Sequence, residues 1–148
     1  MRAKEYFEGV RGQAVALARA QETLERMKAR EGARTQSYQA GAGGEGADPM
    51  ESVQRRIDFE RRLGDRIAAA RAAVDEACEV LYGTDGRGGL AKLKGTRYAD
   101  AICMAYCQAE PWNEIADALG SSPQWCRSLC RAGFVFIDRV GWAKVKNA

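Results

Sequence analysis

The stretch WNEIADALGSSPQWCRSLCR, residues 112–131, decides the fold of the carboxy-terminal part of the chain. Gly120 interrupts the stretch, Ser121 or Ser122 is suited to cap the helix that follows, and Pro123 suits the first turn of that helix. Apolar residues recur at helical spacing on both sides of the glycine, at Ile115, Ala116, Leu119, Cys126 and Leu129. The stretch therefore predicts two helices joined by a tight glycine turn.

Two long helices are predicted before this stretch. Apolar residues at alternating four- and three-residue steps indicate helices at residues 3–30 and 50–82, which we expect to pair as an antiparallel, coiled-coil-like hairpin. Residues 32–49 contain AGAGGEGADP and predict a flexible loop rich in glycine and alanine. The sequence thus predicts an all-α fold, with a long helical hairpin arm at residues 1–82 and a small helix-turn-helix module at residues 97–148.

Between arm and module lies GTDGRGGLAKLKG, residues 83–95, which combines glycines with basic residues. A phosphate-binding loop would end in Gly-Lys-Ser/Thr and follow a strand, and neither feature is present in the sequence pattern. We therefore interpret residues 83–96 as a glycine-rich linker with solvated lysines, in preference to a nucleotide-binding loop.

Composition limits the classes of function. The 148 residues contain no histidine, which removes the commonest general base and metal ligand, so we expect neither an enzyme nor a cofactor. The net charge is +3, and from residue 90 onward the chain contains eight basic and five acidic residues. This local excess of positive charge favours an anionic partner. No apolar run approaches the ~20 residues that cross a bilayer. Glu5 and Glu8 stand where a signal peptide would have its apolar segment, so we predict a cytoplasmic protein without a membrane partner.

The five cysteines are an odd number, which argues against a disulfide framework. Four of them form two Cys-x-x-x-Cys pairs, at Cys103 and Cys107 and at Cys126 and Cys130. A four-thiolate zinc site is geometrically compatible with this pattern if the two helices face each other, but structural zinc sites usually contain Cys-x-x-Cys. We interpret these cysteines as small core residues and expect no metal.

The helix-turn-helix pattern resembles region four of bacterial sigma factors and the ArpU and RinA-like phage transcriptional regulators. Six positions carry the resemblance, namely Ile115, Ala116, Leu119, Gly120, Cys126 and Leu129. Residues 3–7 are similar to the AKEYL-like segment with which the phage proteins begin, and a long helical hairpin follows in both. Relatives tend to carry basic or glutamine residues early in the recognition helix, whereas Pro123, Gln124 and Trp125 occupy that turn in this chain.

The resemblance implies that the helix beginning at Ser122 meets duplex DNA. The candidate DNA-binding residues are Ser122, Gln124, Trp125, Arg127, Ser128 and Arg131. Arg127 and Arg131 lie four residues apart and suit phosphates or guanine edges, whereas Gln124 suits adenine. Trp125 is interpreted either as packing on the DNA backbone or as covering an apolar surface of this chain or of a partner protein.

We therefore predict a sequence-specific duplex-DNA-binding transcriptional regulator of phage or prophage origin. Its arm would serve self-association into a homo-oligomer or contact with RNA polymerase. One alternative is a small terminase-like DNA-packaging subunit, which a ring of many protomers would favour. The other is a helical adaptor that binds only proteins, which the absence of salt-sensitive duplex binding would favour.

Overall fold

The computed structural model describes residues 1–38 and 49–148. These residues form seven α-helices, one π-helical segment and no β-strand, which confirms the predicted all-α class. The α-helices are α1 (Ala3–Tyr38), α2 (Pro49–Tyr82), α3 (Leu90–Leu93), α4 (Thr96–Ile102), α5 (Trp112–Leu119), α6 (Pro123–Val140) and α7 (Trp142–Asn147). The π-helical segment, Cys103–Cys107, directly follows α4. None of these helices is long and apolar enough to cross a membrane.

The described chain divides into two compact units. The composite unit contains Met1–Val15 and Arg71–Ala148, and the helix-pair unit contains Ala16–Ala70. This division differs from the arm and module predicted at residues 1–82 and 97–148, because both ends of the predicted arm pack with the carboxy-terminal helices. Sequence periodicity identifies helices but does not reveal which of their turns share a core.

The helix-pair unit contains the carboxy-terminal part of α1 and the amino-terminal part of α2. Leu63 is buried in this unit, and the side chain of Arg56 pairs with Glu31 at 2.8 Å (Nε to Oε1). Helix α1 extends to Tyr38, past the predicted end at residue 30, and therefore includes Gly32. A glycine within a helix costs only ~1 kcal/mol, which a long helix tolerates. A flexible loop was predicted at residues 32–49, and its residues 39–48 lie outside the described residues.

The core of the composite unit brings both ends of the chain together. The backbone N–H of Ala3, at the start of α1, donates to Asp138 Oδ1 of α6 at 2.8 Å, and the Phe7 ring stacks on Phe134 with 5.5 Å between centroids. The Trp142 indole N–H donates to the carbonyl of Met1 at 3.2 Å. The amino-terminal segment is thus part of the module's own core.

The predicted linker at residues 83–96 is also packed into the composite unit, and it includes α3. Gly88 and Gly89 donate their backbone N–H groups to the carbonyls of Ala148 and Val145, each at 2.7 Å. Gly88 has φ +69°, and a Cβ built there would collide with the carbonyl oxygen of Lys146. We call residues 83–89 the glycine segment. Its glycines allow backbone to pack directly on backbone, whereas the sequence pattern suggested a solvated linker.

Helix α6 continues through Gly133, although glycine has a low helix propensity. Gly133 is buried, and a Cβ built there would lie 2.6 Å from Ile102 Cδ1 and 3.3 Å from Leu90 Cδ2. The glycine thus leaves room for two core side chains from α3 and α4. Close packing of the helices outweighs the low helix propensity of glycine at this position.

Candidate nucleic-acid interface

The turn between α5 and α6 is a tight glycine turn, as predicted from residues 112–131. Gly120 adopts the left-handed conformation, with φ +64° and ψ +36°. The N–H groups of Gly120 and Ser121 both donate to the carbonyl of Ala116, in the pattern that commonly ends helices at a glycine. The turn therefore ends α5 at Leu119, and α6 begins after only three intervening residues.

Helix α6 begins with a side-chain cap. Ser122 is extended, and its hydroxyl accepts a hydrogen bond from the backbone N–H of Trp125 at 3.1 Å, while Pro123 is the first helical residue. The cap satisfies one of the N–H groups that have no partner within the helix. Ser122 thus fixes where α6 starts.

Arg97 stabilises the same turn from α4. Its guanidinium donates to the carbonyl of Leu119 at 3.2 Å and to Ser121 Oγ at 2.6 Å. A cation at the carboxy-terminal end of a helix satisfies unpaired carbonyls and complements the helix dipole. This role is not predictable from the sequence, because Arg97 is 22 residues from Leu119 and no local pattern connects them.

The side chains of the first half of α6 divide by their position around the helix. Cys126, Leu129 and Cys130 are buried on its inner side. On the opposite side four of the candidates are exposed, and we call them the outer face of α6: Gln124, Arg127, Ser128 and Arg131. They lie in the first half of an 18-residue helix, directly after the turn. The structure therefore brings these four together on one exposed surface.

Two tryptophans flank this surface. Trp125 is 53% exposed, so within the described chain it does not cover the core. Trp112, at the start of α5, is partly buried against the core, and the Arg127 guanidinium lies over its ring at 5.4 Å. This cation–π contact restricts the orientation of Arg127 while the side chain remains exposed.

The charges around the outer face are unevenly distributed. Glu114 and Asp117 are exposed on α5, as expected for solvated charges. Arg131 forms no ion pair or hydrogen bond with any residue that the structure describes. A guanidinium without an acidic partner is available to a phosphate.

Three cysteines of the composite unit form a cluster: Cys78 of α2 with Cys103 and Cys107 of the π-helical segment. Their Sγ atoms lie within 4.8 Å of one another. A hydrogen bond with the Cys107 thiol lowers the pKa of Cys103 to about 7, although burial opposes this shift. The hydrogen bond with Cys103 and burial raise the pKa of Cys107.

This cluster differs from the four-cysteine set considered from the sequence. Cys126 and Cys130 belong to no comparable metal-binding group among the described residues, whereas Cys78, outside both Cys-x-x-x-Cys pairs, takes part. Both cysteines are buried on α6, and burial raises the pKa of Cys130 to about 12. They are therefore core residues, as the sequence analysis proposed for them.

No family model, curated protein or solved structure matches the chain. The resemblance to phage regulators stays a prediction.

Proposed function

We propose that the chain is a sequence-specific, duplex-DNA-binding transcriptional regulator of phage or prophage origin that catalyses no reaction. The observation that carries this proposal is the outer face of α6, where two arginines, a glutamine and a serine are exposed immediately after a tight turn. A major groove about 12 Å wide accommodates one α-helix. Such a helix reads DNA from its amino-terminal half, where these residues lie.

The side chains have distinct proposed roles. Arg127, oriented over Trp112, would donate two hydrogen bonds to a guanine edge, and Gln124 would pair with adenine. Arg131, one turn further along, would neutralise a phosphate, and the Ser128 hydroxyl would donate a hydrogen bond to the DNA backbone. Ser122 would act by fixing the helix start, since its hydroxyl is already engaged by Trp125.

The proposal extends to the helix-pair unit, which would provide self-association or contact with RNA polymerase in the cytoplasm. The support is that Val53, Ile57 and Phe59 of α2 are 40%, 42% and 50% exposed. Val53 and Ile57 lie one helical turn apart, and neighbouring exposed apolar side chains favour a protein partner. Sedimentation equilibrium of the full chain tests self-association. A concentration-dependent dimer or larger oligomer supports it, whereas a monomer at all concentrations contradicts it and favours contact with RNA polymerase as the role of this unit.

A second candidate function, a protein-binding adaptor, is favoured by one observation. Trp125 and Val135 of α6 are 53% and 64% exposed, and Val135 lies one turn beyond Arg131 along the outer face. Exposed tryptophan is enriched at protein interfaces. The adaptor and the regulator differ in whether the protein retards duplex DNA in a salt-sensitive way.

Selection of bound fragments from random duplex DNA tests the regulator directly. The full chain should enrich one sequence, and Arg127→Ala should then weaken binding to that sequence by ~1–3 kcal/mol while changing binding to unrelated duplexes much less. The reason is that a bidentate contact to a base discriminates among sequences, whereas a phosphate contact does not.

Two matched variants control this experiment. Arg139→Ala removes an arginine from the last turn of the same helix, where its guanidinium lies 5.7 Å from the Phe136 ring centroid, and should leave the sequence preference unchanged. Glu114→Gln removes an acidic group from α5 and should leave binding unchanged or slightly tighter. If no sequence is enriched and Arg127→Ala binds as wild type while folded by circular dichroism, the adaptor becomes the better account.

A further inference from the structure

The cluster of Cys78, Cys103 and Cys107 has the geometry of a metal site. Its Sγ atoms all lie within 4.8 Å of one another. Zinc–sulfur bonds of about 2.3 Å in a tetrahedral site place the sulfurs about 3.8 Å apart. Side-chain movements of ~1 Å or less therefore bring all three sulfurs to bonding distance from a common centre.

The local backbone also distinguishes this cluster from ordinary buried cysteines. Cys103 and Cys107 lie in a π-helical segment, in which the N–H of Gln108 donates to the carbonyl of Cys103 at 2.9 Å. Such turns are rare and frequently occur at functional sites. Cys78 and Cys103 are only half-buried, whereas Cys126 and Cys130 are buried among apolar residues. The three clustered cysteines are therefore close together, and two of them, Cys78 and Cys103, are accessible, whereas Cys107 is buried.

Polar groups next to the cluster suit thiolate ligands. The Gln108 amide lies 4.0 Å from Cys103 Sγ and donates to it, and the Tyr82 hydroxyl donates to Asp100 Oδ1 at 2.6 Å, one helical turn before Cys103. Donors to a ligating sulfur and hydrogen-bonded groups around it orient the ligands of metal sites. Three sulfurs with no histidine in the chain favour a thiophilic ion, and zinc is the commonest such ion in structural sites.

We propose that Cys78, Cys103 and Cys107 bind one zinc ion as thiolates, with a water molecule as the fourth ligand. Each thiol releases its proton to solvent when its sulfur bonds the metal, so binding strengthens as pH rises. The half-exposed side of the cluster at Cys103 gives water access to the fourth position. The ion would link α2 to the π-helical segment. This proposal replaces the expectation from the sequence that the chain binds no metal.

Cobalt and zinc titrations of the reduced full chain test the proposal. Co²⁺ should produce thiolate-to-metal charge-transfer absorption and the ligand-field bands of a tetrahedral site, saturating at one ion per chain. Zn²⁺ should then displace the cobalt and abolish these bands. Competition with a chromophoric chelator gives the zinc affinity, and elemental analysis after gel filtration gives the stoichiometry.

Variants locate the site. Cys78→Ser and Cys103→Ser each remove one half-exposed ligand and should weaken zinc binding by roughly a hundredfold. Cys130→Ala, a cysteine outside the cluster, should bind zinc as wild type. The proposal is overturned if the reduced wild-type chain binds neither ion, or if Cys78→Ser and Cys103→Ser, folded by circular dichroism, bind zinc as tightly as Cys130→Ala.

Discussion

The glycine segment and the turn between α5 and α6 use glycine in similar backbone conformations for different reasons. Gly88 and Gly120 have φ +69° and +64°. A Cβ at Gly88 would collide with the backbone of Lys146, whereas a Cβ at Gly120 would have no neighbour within 4 Å. The first glycine is required by a contact with a distant part of the chain, and the second only by the local shape of the turn.

This difference explains which of the two regions can be predicted from the sequence. A tight turn carries its signals within a few residues: a glycine, a capping serine and a proline. The glycine segment packs against α7, more than 50 residues away, and nothing near Gly88 indicates that partner. The local sequence of the glycine segment therefore resembles that of a linker.

The largest expected effect concerns Gly88. Gly88→Ala should lower the free energy of unfolding by about 3 kcal/mol or more, because the new methyl group meets backbone that cannot move without breaking the contacts with Val145 and Ala148. Denaturant titration followed by circular dichroism measures the change.

The matched control is Gly120→Ala, which places the same methyl group at a similar φ in open space and should cost only ~1–2 kcal/mol of backbone strain. Equal losses for the two variants would remove the distinction between a contact-limited and a locally required glycine.

An intermediate effect is expected at Gly133, where the constraint is also a distant side chain. Gly133→Ala should destabilise the fold by about 2 kcal/mol, because overcrowding at Ile102 exceeds the gain in helix propensity. Ile102→Val removes the Cδ1 atom that the new methyl group meets.

A double-mutant cycle of thermal or denaturant unfolding measures the coupling between these two positions. The double variant should be more stable than the sum of the two single changes predicts. Additive effects would show that Gly133 is not required by Ile102.

The smallest effect is local. Ser122→Ala should destabilise by about 1 kcal/mol, because it removes the hydroxyl that accepts the N–H of Trp125 at the start of α6. Ser128→Ala, which changes an exposed serine in the second turn of the same helix, should change the free energy of unfolding by less than about 0.5 kcal/mol. Similar losses at the two serines would argue against a specific capping role for Ser122.

The sequence predicted what depends on neighbouring residues. The all-α class, the turn at Gly120, a serine cap at Ser121 or Ser122 and the buried positions Cys126 and Leu129 follow from helical periodicity and capping chemistry, and the structure assigns the cap to Ser122. The same local patterns do not assign Arg97 to the end of α5 or Asp138 to the start of α1. Both depend on contacts between residues far apart in the chain.

The candidate sites show the same limit. The outer face of α6 follows from spacing along one helix, so its residues were predictable together. The cysteine cluster joins α2 to a π-helical segment, and spacing within one segment paired Cys103 and Cys107 but did not connect them to Cys78. A cluster that unites separate elements becomes visible only when their packing is known.

The most direct test of the proposed DNA contact is the salt dependence of duplex binding. Fluorescence anisotropy with a labelled duplex, measured across a range of salt concentrations, gives the slope of log affinity against log salt for wild type, Arg131→Ala and the control Arg139→Ala. If Arg131 neutralises a phosphate, its loss should weaken binding to all sequences alike and reduce the magnitude of the slope by about 1, while the control leaves it unchanged. A folded Arg131→Ala protein with the wild-type slope and affinity would contradict the assignment of the outer face of α6 to DNA.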